Sequence, residues 1–97
     1  MKEREIEHKL VQAVKKKGGF AVKFVSPGYD GMPDRLVLFP GGRMAFVEVK
    51  ATGCNSRPLQ IQRHEDLRRL GFTVYVLDDE RQIQQILDEM GGETNET

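Results

Sequence analysis

The sequence predicts an α/β domain: a mixed sheet flanked by helices, in the order α-β-β-β-α-β, with a further C-terminal helix. Three observations carry this prediction. Apolar residues recur at helical spacing near the N-terminus, between 57 and 70, and again after 79. Two apolar runs flank Pro40-Gly41-Gly42 and read as an antiparallel hairpin. A strand-helix-strand step then spans residues 44–77, which calls for a right-handed crossover between parallel strands.

The first helix covers residues 3–17, with Ile6, Leu10, Val11, Ala13 and Val14 on one arc and a stop at Gly18-Gly19. Glu7 falls inside that arc, between Leu10 and Val11, whereas His8, Gln12 and Lys15 lie opposite. An acid on the core-facing side needs a partner, because burying it alone is costly. FAVKFV (20–25) reads as a strand and SPGYDGMP as a Pro/Gly-rich loop. RLVLF and MAFVEVK form the hairpin, and ATGCNS is a loop. The second helix spans 57–70, with Ser56 as candidate N-cap, Pro58 in the first turn and Gly71 at the stop. On it, Gln60 shares an arc with His64, Leu67 and Leu70 and so faces inward. FTVYVL (72–77) is the last strand. Asp79 with Gln82 resembles a capping box ahead of the stripe Ile83, Ile86, Leu87 and Met90. Residues 1–91 form one domain, and 92–97 (GETNET) read as a disordered tail.

Ninety-seven residues make one domain with a modest core. No apolar run approaches the roughly 20 residues of a membrane span. The N-terminus is charged from Lys2, unlike a signal peptide. A single cysteine, Cys54, allows no internal disulfide and fits a reducing cytoplasm. Net charge is zero, but it is unevenly spread: residues 1–77 hold 14 Lys/Arg against 8 Asp/Glu, and residues 78–97 hold Arg81 against 7 acids. A basic body with an acidic C-terminal segment leaves room for a polyanionic partner, since local field guides such binding. Two ordinary solvated faces would give the same composition.

The hairpin carries the chemistry. Met44, Phe46, Glu48 and Lys50 share one strand face and Ala45, Val47 and Val49 the other. Both faces are apolar up to Phe46, so Glu48 and Lys50 mark where a buried face opens into a cleft. A three-residue turn with Gly42 left-handed pairs Phe39 with Arg43, 38 with 44, 36 with 46, and so Asp34 with Glu48. A four-residue turn would pair Asp34 with Val49 instead. Two carboxylates that close repel unless a proton or cation lies between them. Their hard oxygens suit Mg²⁺ or Mn²⁺, and Lys50 beside them can hold a water or a phosphate oxygen. The plainer alternative is an exposed Glu-x-Lys on an edge strand with an Asp in a turn.

These residues, Pro33-Asp34, thirteen intervening residues, then Glu48-Val49-Lys50, resemble the PD-(D/E)XK nuclease superfamily. More narrowly, the chain resembles stand-alone VRR-NUC domains of phages and bacteria. The likeness runs from the helix with Glu7 through KFVSPGYDGMPDRLVL and MAFVEVK to RPLQIQRHEDLRRLGF. It implies a restriction-endonuclease-like fold and divalent-metal cleavage of DNA phosphodiesters, leaving a 5′-phosphate and a 3′-hydroxyl. It further implies similarity to Holliday junction resolvases, acting as homodimers on four-way junctions. By the same resemblance, Asp34, Glu48 and the Val49 carbonyl hold the metal and Lys50 orients or activates the attacking water. Glu7 is the helix acid, near the metal directly or through water, and Gln60 is the helix polar residue of the site. His64 reads as a packed or half-exposed histidine outside the metal site, and His8 as surface. Glu3 and Glu5 are substitutes for Glu7 under another helix register, Glu3 lying in a fraying turn.

Binding to DNA would be mostly to phosphates, with Lys15, Lys16, Lys17, Lys23, Arg57, Arg63, Arg68 and Arg69 as candidates. No recognition helix or zinc motif offers base readout. Structure-selective cutting therefore fits better than sequence-specific cutting. The competing classes are a flap or fork nuclease or nickase, and a non-catalytic DNA-binding module.

Overall fold

A computed structural model describes residues 1–91. The 92–97 tail lies outside the described residues. The chain runs α1 (Glu3–Lys16), β1 (Phe20–Lys23), β2 (Arg35–Phe39), a short 3-10 turn (Pro40–Gly42), β3 (Arg43–Val49), α2 (Pro58–Arg69), β4 (Val74–Leu77) and α3 (Gln82–Gly91). The four strands form one sheet in the order β1-β2-β3-β4. β1 pairs with β2 and β2 with β3 antiparallel, and β3 pairs with β4 parallel. This is the mixed α/β sheet the sequence predicts.

Each face of the sheet has its own cover. Ile6, Leu10 and Val14 of α1 are fully buried, and with Ile83, Ile86, Leu87 and Met90 of α3 they pack on Ala21, Val37, Phe39, Ala45, Val47, Val49 and Leu77. Full burial of such side chains contributes about 1.5–3 kcal/mol each. The opposite face is smaller: Leu67 of α2 packs with Phe46 and Val74, beside Phe24, Met32, Leu36 and Met44. Phe46 stacks edge-on against Phe24 and Phe72, with ring centroids 5.6 and 5.8 Å away.

The hairpin takes the three-residue register: Phe39 pairs with Arg43, Leu38 with Met44 and Leu36 with Phe46. Gly41 and Gly42 both adopt positive φ, 86° and 78°, which a β-carbon would resist. Several ends differ from the sequence reading. β1 stops at Lys23, although the Phe24 amide still donates to the Asp34 carbonyl at 3.0 Å. β4 starts at Val74, because the Phe72 amide is spent closing α2 on the Leu67 carbonyl at 3.0 Å. Ser56 does not cap α2: Arg57 is the capping residue, and its amide donates to Gln60 Oε1 at 2.8 Å. Leu70 faces solvent, not the core, at the helix end (74% exposed). At α3, Gln82 Oε1 accepts from the Asp78 and Asp79 amides at 3.0 and 3.3 Å. The Asp79 carboxylate turns instead to the Arg81 amide, at 2.9 Å, so only half of the expected box forms.

Candidate active site

The site lies at the end of the hairpin remote from its turn, where β2 begins and β3 ends. Alternation along β3 carries Phe46 and Glu48 to the α2 face and Val47 and Val49 to the α1 face. The last paired rung, Arg35 with Val47, leaves Asp34 and Glu48 as the next opposed residues. Asp34 is tied there twice. Its carbonyl accepts the Phe24 amide, and its Oδ1 accepts the Val49 amide at 3.2 Å. The preceding loop is pinned to α2: Arg63 Nε donates to the Asp30 carbonyl at 2.8 Å, and its guanidinium stacks 3.9 Å over Tyr29.

Glu48 is only 4% exposed and is surrounded by α2. Gln60 donates its amide to Glu48 Oε2 at 3.2 Å and accepts Lys50 Nζ on its own Oε1 at 2.7 Å. Lys50 Nζ also lies 3.6 Å from Glu48 Oε2. One glutamine thus caps α2, holds the lysine and touches the acid. This follows from its position: the third residue of a helix reaches back to the cap, and a buried side chain there also faces the sheet.

The two carboxylates resist ionisation. Burial pushes Asp34 up to about 6, helped by the charges of Glu3 and Glu7 and opposed by the Val49 amide. Burial pushes Glu48 up to about 7, with the Asp34 charge adding to it and Lys50 working against it. Glu48 Oε1 is buried with no hydrogen-bond partner. A paired acid site with an unsatisfied oxygen is what a hard cation stabilises. Among the described residues no group of three His, Cys, Asp or Glu side chains is assembled to hold a metal. Two carboxylates with hard oxygens suit a hard divalent cation, which fills its remaining positions with water.

The charge of Glu7 reaches Asp34. Glu7 Oε2 accepts Arg35 Nε at 2.9 Å, and the same guanidinium donates to the Ala21 carbonyl at 2.8 Å. The partner that an inward-facing acid requires is therefore Arg35, while its charge still reaches Asp34. Glu3 is drawn in as well, contributing to the raised pKa of both acids. Its end of α1 is docked: the Met1 amine donates to Thr52 Oγ1 and the Thr52 amide to the Met1 carbonyl, both at 3.1 Å. The sequence shows no signal for that docking. His64 is 2% exposed, and its Nε2 lies 3.9 Å from Glu48 Oε1. Burial holds its pKa below the usual histidine value, and Arg68 and Lys50 push the same way. His8 is on the surface, as expected.

The sequence and the fold are similar to those of known proteins. No family model matches the chain. It is 50% identical over 80 residues to "Putative nuclease p44" of Acyrthosiphon pisum secondary endosymbiont phage 1, covering 82% of this chain and 86% of that protein. A solved structure of a VRR_NUC domain matches 89% of this chain and 94% of its own at a TM-score of 0.82, with 29% sequence identity. The chain belongs to the VRR-NUC nuclease family. The VRR-NUC fold thus accounts for the three helices and the mixed sheet described above.

The basic residues of this VRR-NUC domain divide by location. Lys15, Lys16 and Lys17 end α1 near the hairpin turn, at the opposite end of the sheet from the acids. Lys16 and Lys17 line a groove of about 570 Å³ between α1 and α3, with His8, Lys9, Gln12 and Gln84. Neither Asp34 nor Glu48 lines this groove. Lys23 pairs with Arg35 at the acidic end, and Arg57 precedes α2 there. Arg63, Arg68 and Arg69 have partners within the chain: the Asp30 carbonyl, the Val74 carbonyl and Asp66. Among the described residues no helix is long and apolar enough to cross a membrane.

Proposed function

We propose that the chain is a divalent-metal-dependent, structure-selective DNA endonuclease that hydrolyses phosphodiesters, resolving four-way junctions as a homodimer. The observation that carries this reading is the acidic pair at the hairpin mouth, with Lys50 held beside it by Gln60. Asp34, Glu48 and the Val49 carbonyl would hold Mg²⁺ or Mn²⁺, with Glu7 close by. When bound, the cation offsets charge on the phosphate and lowers the pKa of the attacking water. Lys50 donates from Nζ to that water or to a phosphate oxygen, adding positive charge where negative charge develops. Gln60 keeps Nζ at the site, since its Oε1 is fixed by the Arg57 amide as well. Water attacks phosphorus in line and gives up a proton to solvent, the P–O3′ bond breaks, and the 3′ oxygen takes up a proton from solvent and leaves as a hydroxyl. The 5′-phosphate stays on the other strand end.

DNA contacts are to phosphates. Lys23 and Arg57 flank the acidic end, and Lys15, Lys16 and Lys17 meet the backbone farther along. Arg63, Arg68 and Arg69 join them only with the parts of their guanidinium groups not already engaged. One chain offers one site, and paired cuts in a four-way junction need two, hence the two-fold dimer. The single exposed cysteine, Cys54, supports a reducing, cytoplasmic setting.

The test is a panel of labelled four-way junction, flap and linear duplex with Mg²⁺ or Mn²⁺, using wild type and the Asp34→Ala and Lys50→Ala variants. The expected result is paired nicks in the junction by wild type alone. Flap cutting without paired nicks would replace the resolvase reading with a flap or fork nuclease. Binding without cleavage of any substrate would leave a DNA-binding module.

A further inference from the structure

Helix α2 presents two side chains to Glu48 from consecutive turns. Gln60 donates to one oxygen of the carboxylate, Oε2, at 3.2 Å. His64, four residues on, aims Nε2 at the other oxygen, Oε1, from 3.9 Å. Both facing atoms are buried and neither has a hydrogen-bond partner. Leaving two buried polar atoms unsatisfied is costly, and here each is the only kind of group the other needs. Closing the gap by about 1 Å makes one N–H···O bond that satisfies both.

We propose that His64 is a positioning residue, whose Nε2–H donates to Glu48 Oε1 and fixes the orientation of that carboxylate toward a divalent cation. The proposal rests on the metal-binding reading given above. Its physical reason is that a carboxylate bound to a metal by one lone pair is free to swivel unless its other lone pairs are engaged. Groups that hold ligands in this way tune metal affinity by roughly 10–100-fold. Gln60 and His64 would engage one oxygen each, bracketing Glu48 between successive turns of a single rigid helix. Packing alone does not call for an imidazole here. Leu67, three residues along the same helix, packs in an apolar cluster with Phe46 and Val74, and an apolar side chain at 64 would carry no unsatisfied nitrogen.

The test compares His64→Phe, which fills the space but cannot donate, with His64→Gln, which donates through its amide. Mn²⁺ uptake by the intact chain is measured by isothermal titration calorimetry, and thermal melting is followed without metal. The expected result is about 10–100-fold weaker Mn²⁺ binding for His64→Phe, no loss of metal-free melting temperature, and affinity within a few-fold of wild type for His64→Gln. Wild-type affinity in His64→Phe, or a His64→Gln variant as weak as His64→Phe, overturns the proposal. Should His64→Phe fail to fold, His64→Leu against His64→Gln makes the same comparison. Wild-type protein that takes up no Mn²⁺ removes the metal reading and this proposal with it. Wild-type uptake with an indifferent His64→Phe removes this proposal alone.

Discussion

Replacing Asp34 by Asn should stabilise the metal-free protein at pH 8. Asparagine keeps the oxygen that accepts the Val49 amide, so the local geometry survives. What it removes is a carboxylate that burial and the charges of Glu3 and Glu7 hold at a pKa of about 6, against an ordinary 3.8. An acid whose folded pKa lies above its unfolded value favours folding fully only below the unfolded value. That contribution is lost as pH rises through the folded pKa. For Asp34 the window therefore runs from about pH 4 to about pH 6, and for Glu48 from about 4.5 to about 7. A shift of about two units corresponds to at most about 3 kcal/mol at 1.36 kcal/mol per unit. Asp34 is half-buried, so solvent screening reduces this to about 1 kcal/mol. In a domain of this length that is about 4–8 °C in melting temperature. The assay is thermal unfolding by circular dichroism in a chelator, at steps from pH 4 to 8.5. Wild type and Asp34→Asn should melt together at pH 4 and diverge above pH 6, with the variant higher. A variant that melts lower at pH 8, or by the same offset at both ends, would refute the reasoning.

Other perturbations address separate parts of the site. Gln60→Ala strips the acceptor from Lys50 Nζ and the Arg57 amide and the donor from Glu48. It should cost about 2–4 kcal/mol in urea unfolding, and a cost below about 0.5 kcal/mol would contradict that network. Gly31 has φ of 89°, and an added β-carbon would stand 2.9 Å from Leu59 Cγ and 3.1 Å from the Leu59 carbonyl. Gly31→Ala should therefore destabilise by about 1–3 kcal/mol, read by the same unfolding curves. Replacing Lys15, Lys16 and Lys17 by Ser should weaken DNA binding and flatten its salt dependence, by about 0.9 in log–log slope for each phosphate no longer neutralised. An unchanged slope would remove these residues from the DNA path.

How far the sequence reveals this depends on which interactions are local. The hairpin register is legible because it depends on three adjacent residues, and Gly41 and Gly42 adopt the positive φ that a tight turn requires. The inward position of Glu7 follows from helical spacing, but its partner does not. Arg35 meets it only because α1 packs on the sheet face carrying Arg35, Val37 and Phe39. Ser56 has a capping side chain, yet Gln60 supplies the cap, since the helix already faces its third residue toward Arg57 and the sheet. Glu3 joins the acidic end through docking of Met1 on Thr52, between segments 51 residues apart. His64 gives a partial signal, its shared arc with Gln60. Its meeting with the far oxygen of Glu48 needs the distance between α2 and β3, which no spacing along the chain encodes.

The most direct test of the central claim is single-turnover cleavage of a labelled four-way junction, by wild type and Glu48→Gln, in Mg²⁺ and in EDTA. Glutamine preserves the shape of Glu48 and removes its charge. Wild type should cleave in Mg²⁺, and the other three reactions should show no cleavage. Cleavage in EDTA, cleavage by Glu48→Gln at the wild-type rate, or an inert wild-type protein in Mg²⁺ would contradict it.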